Sequence, residues 1–246
     1  MQIEELEKHA VDLGISWDDT MKSRLIRYAE LLKEWNQKMN LTAVDEPEMV
    51  YEKHFLDCML PLQVHFPGNK ICDVGSGAGF PGMVFAIADP DLQATLVEPT
   101  GKRCRFLEEV IKELDLKNVT VLNERAEEHV MKFRAYYDVV CARAVAGLPV
   151  LAELCIPLVR KDGIFLAMKG DKGLEEAIEG TFAVKTLGCR ESGTIMQNLP
   201  DGSERVLLVY RKEKDTPEQY PRPYAKIRKN HLGAGSKNEK HRKGFI

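Results

Sequence analysis

The chain has no apolar run near the roughly 20 residues that a membrane-spanning helix needs, so no such segment is expected. Its opening stretch, MQIEELEKHAVDLG, is acidic and amphipathic, whereas a secretory signal is basic and then apolar. The six cysteines, at 58, 72, 104, 141, 155 and 189, form no C-x-x-C and no Cys/His spacing. Zinc and other bound metals are therefore not expected. Most of these cysteines sit inside apolar patterns, as reduced and buried thiols of a cytoplasmic protein do.

The rest of the composition is ordinary for a globular protein, with 44% apolar and 30% charged residues in 246. That length supports one substantial core with a modest appendage. The net charge of −3 hides an asymmetry. From Arg222 to Ile246 there are eight Lys/Arg and one acidic residue, and the preceding body has 27 basic against 37 acidic. A basic tail of this kind, without apolar periodicity, reads as a solvated end or as an arm that neutralises phosphates.

Two periodicities divide the chain. Met21, Leu25, Tyr28, Leu32, Trp35 and Met39 fall at alternating spacings of four and three, which predicts one long helix with a single apolar face. Asp18 or Asp19 can cap its start, and a second helix is predicted over 49–64. From Lys70 onward, short apolar runs alternate with amphipathic stretches. Strands are predicted at 70–75, 93–98, 118–123, 136–141, 162–168, 187–196 and 204–210, and helices at 81–88, 101–115, 125–131, 148–159 and 172–184. This alternation means a mainly parallel sheet with helices on both faces. The last two strands are joined by QNLPDGSE, long enough for an antiparallel hairpin and too short for a parallel crossover. The expected fold is α/β and Rossmann-like, a seven-stranded sheet with an antiparallel last strand. We expect an N-terminal helical extension (1–66), a methyltransferase-type domain (67–212) and a basic tail (213–246).

The stretch ICDVGSGAGFPG places four glycines within eight residues directly after the first strand. Ligands of open α/β sheets bind at the carboxyl ends of the strands, where strand order reverses. Gly75, Gly77 and Gly79 therefore mark a place where backbone approaches a cofactor. Glu98 ends the second strand 21 residues after Gly77 and can accept hydrogen bonds from ribose hydroxyls. NAD and S-adenosylmethionine both satisfy this much. Asp73, inside the strand, would repel a pyrophosphate but suits a ligand that carries an amino group and a sulfonium. The chain also has little room for a dehydrogenase's substrate domain, and the terminal hairpin is unusual for a dinucleotide fold. S-adenosylmethionine is the better fit. After the third strand, NERAEEH offers Ala126 for the adenine ring and Glu127 for its amino edge.

The motifs NLT (40–42), HFLDC (54–58), DVGSGAGFPG (73–82), GKRCRFL (101–107), ARAVAGL (142–148) and MKG (168–170) occur in order. Together they resemble the bacterial small-subunit ribosomal RNA guanine-N7 methyltransferases, the glucose-inhibited division protein B family, over roughly residues 30–210. Cys58 stands where that family is expected to have serine. The resemblance implies cofactor contacts at Gly75, Phe80, Ala126, Glu127 and Arg143, with Glu98 at the ribose. It also implies methyl transfer from S-adenosylmethionine to a guanine N7 of 16S ribosomal RNA, in the small subunit or its precursor; the protein itself is expected to be a monomer. The other classes considered are a non-catalytic RNA-binding assembly protein and a small-molecule methyltransferase.

The residues agree with that chemistry. An Asn/Asp-Pro-Pro-aromatic loop, common in methylases of exocyclic amines, is absent after the fourth strand, where the sequence reads VVCARAV. Guanine N7 is nucleophilic without losing a proton, so alignment rather than a general base is the requirement. Arg143, at the tip of the fourth strand, is the expected positioning residue. Lys102, Arg103 and Lys169 are candidates for RNA phosphates. His54 and Asp57, one helical turn apart, read as a hydrogen-bonded pair that fastens the N-terminal helices to the sheet.

Overall fold

In a computed structural model that describes residues 1–234, the long stripe folds as α2 (Asp19–Met39), preceded by α1 (Ile3–Asp12). Asp18 caps α2 by accepting from the Met21 amide at 2.7 Å, and Asn40 ends it in the left-handed region at φ 50°. The second predicted helix is a composite: α3 (Pro47–Val50), a π-helical turn over Tyr51–Leu56, α4 (Asp57–Met59) and a 3-10 turn over Leu60–Gln63. Wide turns of this kind collect at functional sites, and this one carries His54.

Seven strands follow: β1 (Lys70–Val74), β2 (Gln93–Val97), β3 (Val119–Leu122), β4 (Tyr137–Arg143), β5 (Val159–Lys169), β6 (Cys189–Asn198) and β7 (Glu204–Lys212). They lie in the order β3-β2-β1-β4-β5-β7-β6. The first five are parallel, with Cys72 opposite Thr95 on one side and Val140 on the other. β7 enters antiparallel between β5 and β6, as the short QNLPDGSE connection requires. Strand order reverses at β1, so β1 and β4 part at their carboxyl ends and open a crevice there.

Alternation along the strands sends side chains to two helical layers. Cys72, Val74, Val140 and Phe165 pack beneath α7 (Ala126–Phe133), α8 (Leu148–Cys155) and α9 (Gly173–Thr186). On the opposite side, one apolar cluster runs from Leu6 and Leu25 through Phe55 to Met83 on α5 (Gly82–Ala88) and Leu107 on α6 (Gly101–Glu113). Tyr28 lies at its centre, fully buried, with ring centroids 5.2 Å from Phe55, 5.6 Å from Phe80 and 6.4 Å from Phe106. Its hydroxyl donates to the Ala78 carbonyl, which ties α2 to the glycine loop.

The C-terminal segment departs from the sequence expectation. Residues 222–234 pack on the body, with α10 (Tyr224–Lys229) placing Ile227 in the cluster under α7–α9, and Leu232 joins it there. Two apolar residues split between a helix and the loop after it leave no periodicity to read. Arg222 is not a free cation. Its Nε and NH2 donate to Glu153 at 2.8 and 2.6 Å, and its amide donates to the same carboxylate at 2.9 Å. The remainder of the expected phosphate-binding arm, 235–246, lies outside the described residues.

Glu153 has no exposure, and among the described residues Arg222 is its ion-pair partner. Removing one member of a buried pair typically costs about 3–5 kcal/mol. Arg222→Ala should lower the unfolding free energy by a comparable amount in urea titration, whereas Arg228→Ala, on the exposed side of α10, should change it by less than about 0.5 kcal/mol.

Candidate active site

The glycine loop owes its shape to three residues in the left-handed region, Gly75 at φ 72°, Gly77 at 59° and Gly79 at 96°. Side chains would be strained there, and a Cβ on Gly79 would run into the Tyr28 hydroxyl. The loop is held from below. The amides of Gly75 and Ser76 donate to the Val97 carbonyl at 2.8 and 3.3 Å, and Ser76 Oγ donates to the Asp73 carbonyl at 2.9 Å. Glu98, 1% exposed, accepts from the Gly77 amide at 2.9 Å through Oε2 and from the Thr100 amide at 2.8 Å through Oε1. Each oxygen keeps a further lone pair for a ligand.

A cavity of about 750 Å³ opens above this loop. Gly75, Gly77, Phe80 and Arg103 form one side. Thr42, Lys53, His54, Asp57, Arg143, Lys169 and Arg205 form the other. A separate cavity of about 570 Å³, lined by Met1, His9, Glu52 and Asp201 among others, lies beside α1, away from the carboxyl ends of the parallel strands.

The predicted site residues divide between the cavity wall and its support. Phe80 is on the wall, its ring 4.6 Å from the His54 ring, with the Arg143 guanidinium 4.9 Å above it. Arg143 donates through NH1 to Asp57 Oδ2 at 2.9 Å and to the Lys53 carbonyl at 3.3 Å. Lys169 is also on the wall, but its ammonium is taken by Glu176 and the Ala146 carbonyl, each at 2.7 Å. Arg103 lies 3.9 Å from Glu98, while Lys102 is exposed at the start of α6. Asp73 is off the wall. It is fully buried beneath the loop, where Oδ2 accepts from the Gly82 amide at 2.9 Å and Oδ1 has no partner among the described residues. Ala126 and Glu127 form the first turn of α7 and are not among the lining residues.

Thr42, Lys53, Glu176 and Arg205 are among the wall residues that had no assigned role in the sequence reading. Thr42 and Lys53 lie in or beside the NLT and HFLDC motifs, so a signal existed. Arg205 gave none, because only the antiparallel entry of β7 carries it to this cavity. His54 and Asp57 are not bonded to each other. Asp57 accepts from Arg143 and, through Oδ1, from Arg205 Nε at 3.0 Å. His54 places Nε2 2.9 Å from Thr42 Oγ1 and Nδ1 3.2 Å from Arg143 NH2. Cys141 is buried, with its thiol pushed well above the usual range by burial, and it donates weakly to the Cys72 carbonyl.

His54 and Asp73 are shifted by burial with opposite consequences for stability. Burial first, and then the Arg143 charge, lowers His54 to about 4. Its contribution to stability is therefore complete above the unfolded pKa of about 6.5 and is lost as pH falls toward 4. Burial raises Asp73 to about 7 against the Gly82 hydrogen bond. Its contribution is complete below about 3.8 and is lost as pH rises through 7. Measured by urea midpoints across pH 4–7.5, wild type should lose stability relative to His54→Gln on acidification and relative to Asp73→Asn on alkalinisation. Each slope should reach at most about 1.4 kcal/mol per pH unit. A pH-independent difference would mean that the group concerned titrates normally.

Residues 21–203 match the family model described as rRNA small subunit methyltransferase G. Two relatives carry the name ribosomal RNA small subunit methyltransferase G. One, from Staphylococcus epidermidis, is 42% identical over 226 residues, 90% of this chain and 95% of its own. Another, from Staphylococcus aureus strain Newman, is 43% identical over 227 residues with the same two coverages. Among solved structures, a 16S rRNA (adenine(1408)-N(1))-methyltransferase from Catenulisporales acidiphilia superposes with a TM-score of 0.51 at 13% identity. It covers 63% of this chain and 87% of its own. M. jannaschii TYW2, solved in complex with AdoMet, superposes with a TM-score of 0.50 at 15% identity, covering 81% of this chain and 78% of its own. These two likenesses establish the fold. The match over 21–203 and the near full-length identity to both relatives establish more: the chain belongs to the rRNA small subunit methyltransferase G family.

Proposed function

We propose that the cavity holds S-adenosylmethionine against the glycine loop and presents its methyl group to N7 of a guanine in 16S ribosomal RNA. By family the chain is a small-subunit ribosomal RNA methyltransferase, and S-adenosylmethionine is its methyl donor. The observation that carries the reading is that one cavity joins two unlike walls. On one side is bare loop backbone, tied from behind by the buried Glu98 carboxylate through the Gly77 amide, and on the other are two guanidiniums.

The loop fits the cofactor. A Cβ on Gly77 would meet nothing closer than 3.9 Å, so the face of the loop is open. Glu98 is already fixed by two amides; it is 1% exposed and lies behind the lining, so ribose hydroxyls reach its remaining lone pairs by local displacement of its neighbours. Gly75, Gly79 and Phe80 shape this end; Ala126 and Glu127, at the start of α7 and outside the cavity's lining, are assigned to the adenine by sequence and family resemblance alone. Asp73 acts from beneath, holding the Gly82 amide and thus the loop's exit into α5.

S-adenosylmethionine supplies a methyl group on a sulfonium, which N7 can take by direct displacement using its own lone pair. The protein's task is then to align and to exclude water. The far wall suits that task and no other. His54 is held neutral and is engaged with Thr42, and Asp57 has both oxygens committed to arginines, so neither is placed to take a proton. Arg143, fixed by Asp57 and stacked over Phe80, is the group that positions the acceptor nucleotide. Lys102, Arg103 and Lys169 stand at the rim and wall as phosphate contacts, with Lys169 having to share its charge with Glu176. Among the described residues no helix is long and apolar enough to cross a membrane.

Two measurements test the reading. Calorimetry with S-adenosylmethionine should show binding by wild type and its loss in Glu98→Ala and in Gly77→Val, provided circular dichroism shows both folded. Retained affinity in both variants would move the cofactor elsewhere. With small-subunit RNA from cells lacking the gene as substrate, Arg143→Ala should cut transfer to guanine N7 at least about tenfold, or roughly 1.4 kcal/mol. Normal turnover by a folded variant would return Arg143 to a structural role.

A further inference from the structure

The far wall carries a charge imbalance. Asp57 is 5% exposed, and its two oxygens are taken by two different arginines, Arg143 at 2.9 Å and Arg205 at 3.0 Å. Among the described residues, neither guanidinium has another carboxylate within ion-pair distance. One negative charge thus answers two positive ones. Arginine does not give up its proton in proteins, so the excess cannot be titrated away.

The neighbours leave that excess in place. His54 beside Arg143 is neutral at physiological pH. Lys169 is matched by Glu176 at 2.7 Å, and Lys53 by Asp201 at 3.2 Å. Arg103 stands with Glu98 at the cofactor end. The side chains of Arg143 and Arg205 are 15% and 24% exposed, and both line the cavity. Arg205 commits Nε to Asp57 and NH1 to the Glu204 carbonyl at 3.0 Å, which leaves NH2.

We propose that Arg143 and Arg205, sharing Asp57, form a binding place for one backbone phosphate of the RNA, beside the acceptor base. The proposal rests on the function set out above and names the part of the substrate that this wall takes. A phosphodiester carries one negative charge, which matches the one surplus positive charge. Planar guanidinium forks suit phosphate oxygens in geometry as well as charge. In this arrangement Asp57 is a positioning residue: it touches no RNA, holds both forks to one spot, and limits the surplus to a single charge.

The test exploits the opposite signs of two substitutions. Arg205→Gln removes the surplus, and Asp57→Asn doubles it. In filter binding of 16S RNA at several salt concentrations, the logarithm of affinity falls linearly with the logarithm of salt. Arg205→Gln should flatten that slope by about 0.7–0.9, the amount for one phosphate. Asp57→Asn should steepen it and tighten binding at low salt, while lowering kcat because Arg143 loses its anchor. Arg205→Lys, which keeps the charge without the fork, should restore the slope lost in Arg205→Gln. Calorimetric affinity for S-adenosylmethionine should be unchanged in both Arg205 variants. An ordinary structural ion pair would weaken binding in Arg205→Gln and Asp57→Asn alike, or in neither. A wild-type slope in folded Arg205→Gln overturns the proposal, and if Asp57→Asn fails to fold, the two Arg205 variants still decide it. The binding arms do not read methyl transfer. A wild-type protein that puts no methyl on guanine N7 would therefore overturn the function while a flattened Arg205→Gln slope still upheld the phosphate site.

Discussion

The turn that leaves β1 has to pass through three left-handed residues and still present bare backbone to a cofactor, and the rest of the architecture is arranged around holding it there. Glycine supplies the dihedral freedom at a cost in chain entropy, so the loop needs outside ties to keep one shape. Glu98 provides one from β2 through the Gly77 amide. Tyr28 provides another from α2 through the Ala78 carbonyl, and its ring packs against the loop residue Phe80 as well as Phe55 and Phe106. The N-terminal helices are therefore part of the site's framework, and their apolar stripe is continuous with the core that carries α5 and α6.

The site separates two kinds of electrostatic work by depth. Beneath the loop, where burial is complete, Asp73 is pushed toward neutrality and serves as a hydrogen-bond anchor for Gly82. At the far wall, where side chains are partly wet, charges persist but are matched in pairs, except for the two arginines on Asp57. The same burial that raises Asp73 lowers His54, so a histidine beside an arginine adds no second positive charge. Charge on this wall is thus set mainly by arginine, which does not respond to pH.

An acidic body that methylates RNA is no contradiction under this arrangement. Its surplus of carboxylates is distributed over the surface, whereas the cavity has its own local balance, and local fields steer a polyanion more effectively than net charge. The C-terminal segment adds to this only in part. Arg222 is consumed by buried Glu153, next to Ile227 and Leu232, so the first basic residue of the tail stabilises the fold instead of reaching for phosphate.

What the sequence determined on its own were features with local causes. The α2 stripe, the seven strands to within about three residues, the antiparallel ending and the glycine turn all follow from spacing and loop length. Glu98 was legible because strand length places it beside the loop. The tertiary structure alone decided which charges meet. Arg205 lies 148 residues from Asp57 in the chain, and only the antiparallel entry of β7 brings them together. His54 and Asp57 were read as a pair because a helical turn places them on one face; in the fold a stronger donor, Arg143, arrives from β4 and takes both. Docking of Ile227 and Leu232 was invisible for the same reason, since two apolar residues in a basic stretch acquire meaning only from the surface they meet. Periodicity records which side of an element faces the core, but it holds no information about which distant polar group waits there.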